Sequence, residues 1–162
     1  MIDRHITADE FFSKRPACPV VTVERGSGRI LGLNWTNRQA FDKTLATGIC
    51  HYYDRVNNVI YLKGEHSNEK ETIREIRLDC CHARRHELHL LYTVDLAPGK
   101  CKFGVKDCHF YIFRDNAFRF DTTLITDPEA VETYAKRITC LLDIEADKRH
   151  QQRYMKKRQS KA

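Results

Sequence analysis

Four of the seven cysteines, Cys80, Cys81, Cys101 and Cys108, fall in the stretch that starts at Asp79 and ends at Cys108. Thiolates are strong ligands for zinc, and clustered cysteines in a chain without a secretory signal bind metal more often than they pair as disulfides. Cys101 and Cys108 are too far apart for a CxxC knuckle; with Gly104 between them they read as two ligands on one glycine-containing loop. Cys80 or Cys81 would add a third sulfur and leave one position open. Three protein ligands plus water is the arrangement in which zinc activates water near neutral pH, whereas a fourth thiolate, from Cys81, would close the site and make it structural. Thiols packed as small apolar side chains are the plain alternative; Cys18, Cys50 and Cys140 are read as core or surface thiols. His82, His86 and His89 crowd the cysteines and are candidates from which one could serve as a further metal ligand, while His51 reads as a hydrogen-bonded structural histidine.

A chain of 162 residues, 31% of them charged and with a mean hydropathy of -0.59, is sized for one soluble domain, or one with an appended helix. No apolar run approaches the roughly 20 residues needed to span a bilayer. Residues 1–15 mix acids and bases where a signal peptide would be apolar, so no membrane partner and a cytoplasmic location are expected. The net charge of +6 is concentrated at the end: residues 148–162 carry seven basic side chains and no acid. Setting those seven aside leaves 21 basic against 22 acidic residues, close to neutral. A basic tail can bind nucleic acid, but no nucleic-acid motif accompanies it, and a solvated terminus is the expectation.

The elements that must position these groups follow from periodicity and punctuation. Residues 1–15 form a short lead-in anchored by Phe11 and Phe12. Residues 20–24 and 29–35 are β-rich and joined by Arg25-Gly26-Ser27-Gly28, which predicts a hairpin. Residues 36–48 carry a helix signature, with Thr36 and Gln39 as a capping box, Ala40, Phe41 and Leu45 on one face, and Gly48 as the stop. An aromatic strand at 51–54 turns at Asn57-Asn58 and returns over 59–63. Residues 72–80 make a further strand in which Ile73, Ile76 and Leu78 alternate imperfectly, and 88–94 and 109–114 make two more. Asp127-Pro128-Glu129 opens a helix whose apolar stripe runs through Val131, Tyr134, Ile138, Leu141, Leu142 and Ile144. Three regions result: a lead-in at 1–15, a central domain at 16–126, and a C-terminal helix with its basic tail at 127–162.

Four ordered motifs then stand out: NRQAFDKTLATG at 37–48, HYYDRVNNVIYLKGEHSN at 51–68, EIRLDCCHA at 75–83 and KCKFGVKDCHF at 100–110. Over roughly residues 16–113 the chain resembles the phosphoribosyl-AMP cyclohydrolase family of histidine biosynthesis. That resemblance implies an α+β, mainly β fold that forms an intertwined homodimer, here with an added C-terminal helix, and a purine nucleotide substrate. It implies zinc on Cys80, Cys101 and Cys108, with one sulfur from the partner chain, and Asp79 as the first carboxylate of a magnesium site. It maps nucleotide handling onto Arg55, Lys63, Gly64, Glu65 and Ser67. The phosphates of a nucleotide also need basic partners, for which Arg74 and Arg77 are further candidates, and Lys102, Glu65 and Arg55 are the catalytic candidates.

The departures are specific. Two carboxylates of the family's DCDxD motif are replaced by Cys81 and Ala83, so the magnesium site is lost or rebuilt, since that ion requires hard oxygen ligands. The histidine after the first loop cysteine is Lys102, and the serine before Arg55 is Asp54. The expected activity is zinc-dependent hydrolytic opening of the purine ring of phosphoribosyl-AMP. Its rivals are a diverged hydrolase of another purine nucleotide or heterocycle, and a non-catalytic zinc-stabilised module with a basic tail.

Overall fold

A computed structural model describes residues 5–79, 88–98, 104–106, 108–109 and 111–133. The chain divides into two compact units, Met1–Lys100 and Cys101–Ala162.

The first unit opens with helix α1 (Ala8–Lys14), started by Thr7, whose hydroxyl accepts from the Glu10 N–H at 3.1 Å. Strands β1 (Ala17–Glu24) and β2 (Ile30–Asn37) form the expected hairpin. Helix α2 (Arg38–Thr47) follows at once. Its cap is Asn37, which accepts from the Ala40 N–H at 2.9 Å, and not Thr36, which is still paired with Cys18 in the hairpin. The sequence pattern places the cap one residue early because both side chains have the right chemistry. Gly48 ends the helix at φ 71, in the left-handed region glycine enters without cost. The inward face is Ala40, Phe41 and Thr44; Leu45, expected there, is exposed. Thr44 is accommodated because its hydroxyl donates to the Ala40 carbonyl at 2.9 Å and accepts the His51 N–H at 2.9 Å.

Strands β3 (His51–Asp54) and β4 (Val59–Leu62) form a two-stranded ribbon turned at Asn58. Strands β5 (Glu71–Leu78) and β6 (Leu90–Leu96) complete a four-stranded sheet in the order β2-β1-β6-β5. Within it β6 runs parallel to β1 and antiparallel to β5. A bulge between Ile73 and Glu75 leaves Arg74 as the extra residue. This explains the imperfect alternation: one added residue brings Ile73 and Ile76, three apart, to the same core-facing side. Arg74 turns outward to Asp95 at 2.7 Å, and Asp95 also takes Arg25 at 2.7 Å.

One face of the sheet is the core. Cys18 and Val20 of β1 and Tyr92 and Val94 of β6 are fully buried, with Leu90 nearly so. The ribbon lays Tyr52 on this face, 6.3 Å from Tyr92 between ring centroids, and Phe12 of α1 meets Phe41 of α2 at 5.3 Å. The opposite face carries Leu33, 67% exposed, and Ile30, 49% exposed. A bulge opposite Thr22 and Val23 puts both on that side.

In the second unit, β7 (Tyr111–Arg114) and β8 (Ala117–Phe120) form a hairpin around Asp115 and Asn116, both at positive φ. Of the strand expected at 109–114, Tyr111–Arg114 is present, and its partner β8 had no counterpart in the sequence reading. Residues 128–133 are helical, started by Asp127, which accepts from the Ala130 N–H at 3.1 Å. The expected stripe beyond Val131 and the basic tail lie outside the described residues. No helix among the described residues is long and apolar enough to cross a membrane.

Candidate functional site

The loop that leaves β4 gathers four of the expected site residues, Lys63, Gly64, Glu65 and Ser67. Its entry is tied to the ribbon, the Lys63 N–H donating to the Cys50 carbonyl at 3.0 Å. Gly64 sits at φ 81, and a Cβ there would lie 2.6 Å from the backbone of Glu69 and Lys70, so the loop folds back onto this glycine. The Asn68 N–H closes the loop on the Gly64 carbonyl at 2.9 Å. Ser67 accepts the Glu69 N–H at 3.3 Å, leaving its own hydroxyl hydrogen available. Glu65 is exposed.

Beneath the loop lies Glu71, the first residue of β5, which the sequence reading passed over. It is 1% exposed, on the core side of the sheet. Its Oε2 accepts from the Tyr52 hydroxyl at 2.5 Å and its Oε1 stands 3.6 Å from Lys63 Nζ. Burial raises the Glu71 carboxyl above the ordinary range, while the Lys63 ammonium and the Tyr52 hydroxyl pull it partly back. Burial, aided by the Glu71 charge, pushes the Cys50 thiol up to about 12, and burial pushes Cys18 to about 11. Neither is a nucleophile or a ligand at neutral pH; of the two expected placements, core or surface, both take the core. The signal for Glu71 is parity: it lies two residues before core-facing Ile73, so an acid there must be buried and paired.

Arg55 occupies a different element, the turn between β3 and β4. Asp54 builds that turn by accepting the Val56 and Asn57 N–H groups at 2.9 and 3.1 Å. The Arg55 guanidinium lies over the Trp35 ring. Arg77 projects from β5 into solvent and pairs with Glu75 at 2.9 Å. His51 is structural, as expected: its Nδ1–H donates to the Ile49 carbonyl at 2.9 Å.

Of the expected metal ligands, Asp79 follows β5, and its Oδ2 stands 3.7 Å from His89 Nδ1. Cys108, in the second unit, is exposed and outside any disulfide. Cys80 and Cys101, with Cys81, His82, His86 and Lys102, lie outside the described residues. Among the described residues no three His, Cys, Asp or Glu side chains converge as a metal site. What the described geometry offers is a tight, glycine-dependent loop presenting an ammonium and a hydroxyl, an equipment suited to anionic oxygen.

Comparison with known proteins bears on the same residues. A sequence model described as phosphoribosyl-AMP cyclohydrolase matches residues 32–110, which include the loop, Arg55, Glu71, Asp79 and all four clustered cysteines. A phosphoribosyl-AMP cyclohydrolase of Verminephrobacter eiseniae is 36% identical over 115 residues, covering 70% of this chain and 87% of that protein. One of Alcanivorax borkumensis is 34% identical over 116 residues, covering 72% and 77%. A histidine biosynthesis bifunctional protein of Wolinella succinogenes is 34% identical over 124 residues, covering 76% of this chain and 50% of that protein.

Proposed function

The chain belongs to the phosphoribosyl-AMP cyclohydrolase family, and from that premise we propose that it hydrolyses the bond between N1 and C6 of the purine ring of phosphoribosyl-AMP, as a zinc-dependent cytoplasmic homodimer. The observation that carries this reading is the Lys63-Gly64-Glu65 loop, folded on Gly64 and placed inside the matched segment.

Lys63, Ser67 and the backbone around Gly64 bind a phosphate of the substrate, with Arg55, on the turn at the other end of the β3–β4 ribbon, and Arg77 of β5 as further cations for the nucleotide. In the reaction the oxygen of water ends on C6, and N1 leaves bearing a proton, for which Glu65 and Lys102 are the candidate carriers. Cys80, Cys101 and Cys108 would hold zinc, and a set of thiolates that includes the exposed Cys108 suits that ion. Bound there, zinc would supply the Lewis acidity that makes water reactive near neutral pH. The magnesium set fits poorly: Cys81 and Ala83 stand where hard carboxylates are needed, and Asp79 has the His89 imidazole 3.7 Å away. Exposed Leu33 and Ile30 on the outer sheet face support a second copy as the partner.

Purified, zinc-loaded protein mixed with phosphoribosyl-AMP tests the reading by the absorbance change of ring opening. Opening of a different N1-substituted purine nucleotide, with none of phosphoribosyl-AMP, would assign the protein to the diverged hydrolase that the Cys81, Ala83 and Lys102 replacements favour.

A further inference from the structure

A carboxylate inside a sheet is costly unless its oxygens are engaged. Both Glu71 oxygens are. The Tyr52 hydroxyl carries one hydrogen, which goes to Glu71 Oε2, so the Thr22 hydroxyl, 2.7 Å away, is the donor to the Tyr52 oxygen. The chain of bonds from Thr22 through Tyr52 to Glu71 therefore points one way, each member held by the one behind it. All three side chains are buried, at 1% exposure or less.

The backbone repeats the connection. The Cys50 N–H donates to the Glu71 carbonyl at 2.8 Å, and the Lys63 N–H donates to the Cys50 carbonyl. Lys63 and Glu71 are thus joined twice, through Cys50 in the main chain and through their own charged groups. Lys63 is the only member of this assembly that reaches water, its side chain 29% exposed against 1% for Glu71. An ammonium has three donors, and with one directed at Glu71 the other two remain for a ligand above the loop.

We propose that Glu71 is a positioning residue that holds the Lys63 ammonium in place for the phosphate of the nucleotide, with Thr22 and Tyr52 bracing it from behind. The proposal rests on the reading of Lys63 as a substrate-binding group. A lysine on a free four-carbon stem must be immobilised on each binding event, and a preset one is not, so the benefit falls on substrate affinity.

Glu71→Gln tests this, because the amide keeps the size of the side chain and can still accept from Tyr52, but lacks the charge that holds Lys63. The expected result is a KM for phosphoribosyl-AMP raised about tenfold with kcat within about threefold of the parent, the size of one lost bond to a charged group. Lys63→Met should give the same rise, the double variant should be no worse than Lys63→Met alone, and Glu71→Asp should recover part of the loss. A second readout needs no turnover: the rate at which acetic anhydride labels Lys63, followed by peptide mass spectrometry against exposed Lys43, should rise about tenfold in Glu71→Gln as the ammonium is released. Tyr52→Phe, which removes only the bracing hydroxyl, should move the labelling rate in the same direction by less. An unchanged labelling ratio, or additive losses in the double variant, overturns the proposal. Absence of turnover by the parent protein overturns the functional reading instead, and the labelling ratio still decides whether Glu71 holds Lys63.

Discussion

Arg55 is stacked on Trp35, its guanidinium carbon 3.4 Å from the centre of the ring. The two residues come from different elements, the β3–β4 turn and β2, so the contact pins an otherwise exposed arginine to the edge of the sheet. Trp35 is the only tryptophan, which makes the protein's indole fluorescence a direct report on this pair. Arg55→Ala should shift Trp35 emission and raise the KM for nucleotide about tenfold. Trp35→Leu, which removes only the platform, should raise it about threefold, the scale of a partly exposed cation–π contact. Steady-state kinetics and emission spectra on the two variants check this; an unaffected KM in Arg55→Ala removes Arg55 from the substrate site.

Glu71 makes stability depend on pH in a direction opposite to that of an ordinary ion-paired carboxylate. Its folded value is raised by burial above the usual 4.5. As pH climbs past that usual value the unfolded chain releases the proton while the native protein keeps it, so the unfolded state binds fewer protons and stability falls. The contribution is fully present below about pH 4.5, is lost as pH passes the raised native value, and then stays constant. Urea midpoints of the parent, measured relative to Glu71→Gln, should therefore decline from pH 4 toward neutrality. A difference that is flat or rising over that range would contradict the buried state of this carboxyl.

Gly64→Ala should cost at least about 2 kcal/mol, because it combines a left-handed backbone with a Cβ pressed into the main chain of Glu69 and Lys70. The clash is with backbone, which cannot swing aside, so the loop must open to relieve it. Chemical denaturation gives the energy, and substrate turnover should fall with it. Gly26→Ala is the control, since its φ is also positive but a Cβ there meets nothing within 4 Å; it should cost markedly less.

Cys108→Ser should lower the zinc content of the purified protein to well under half of the parent's, measured by plasma mass spectrometry, because a serine hydroxyl is a poor substitute for a thiolate. Cys50→Ser should leave zinc content unchanged, as that thiol is buried in the core and held protonated. Equal zinc in parent and Cys108→Ser would remove this residue from the ligand set.

Leu33→Asp should convert a dimer into a monomer in sedimentation velocity runs without loss of helical or sheet signal, since the residue is two-thirds exposed within one chain. A parent protein that sediments as a monomer, or a variant that remains dimeric, would dismiss the outer sheet face as the contact.

What the sequence made legible was local. The first hairpin, the ribbon around Asn58 and the helix ended by Gly48 each announce themselves through contiguous alternation and turn residues, and each is present. What it hid was non-local. Nothing in residues 88–94 shows that this strand slots between β1 and β5, parallel to one and antiparallel to the other. The bulge at Arg74 looked like weak periodicity because a period of two loses phase at an inserted residue. Lys63 was marked by its motif, but the motif does not point to its counter-charge. The carboxylate that meets it is Glu71, brought close by the fold-back of the loop. The mapping of a charged motif is visible in one dimension; the counter-charge beneath it is a property of the sheet.

The late position of β6 governs how the molecule comes into being. During synthesis β1 and β2 can pair as soon as they emerge, but β5 cannot join their sheet until Leu90–Leu96 has been made, because β6 lies between β1 and β5. Closing β1 onto β6 spans more than sixty intervening residues, a loop whose entropy must be met before the pairing returns anything. A nascent chain stalled before Leu90 would thus leave Glu71 held from the Cys50 and Tyr52 side alone, with no β6 along its other edge. Completion of that single inserted strand is the event that turns a hairpin, a helix and a ribbon into one cooperative body.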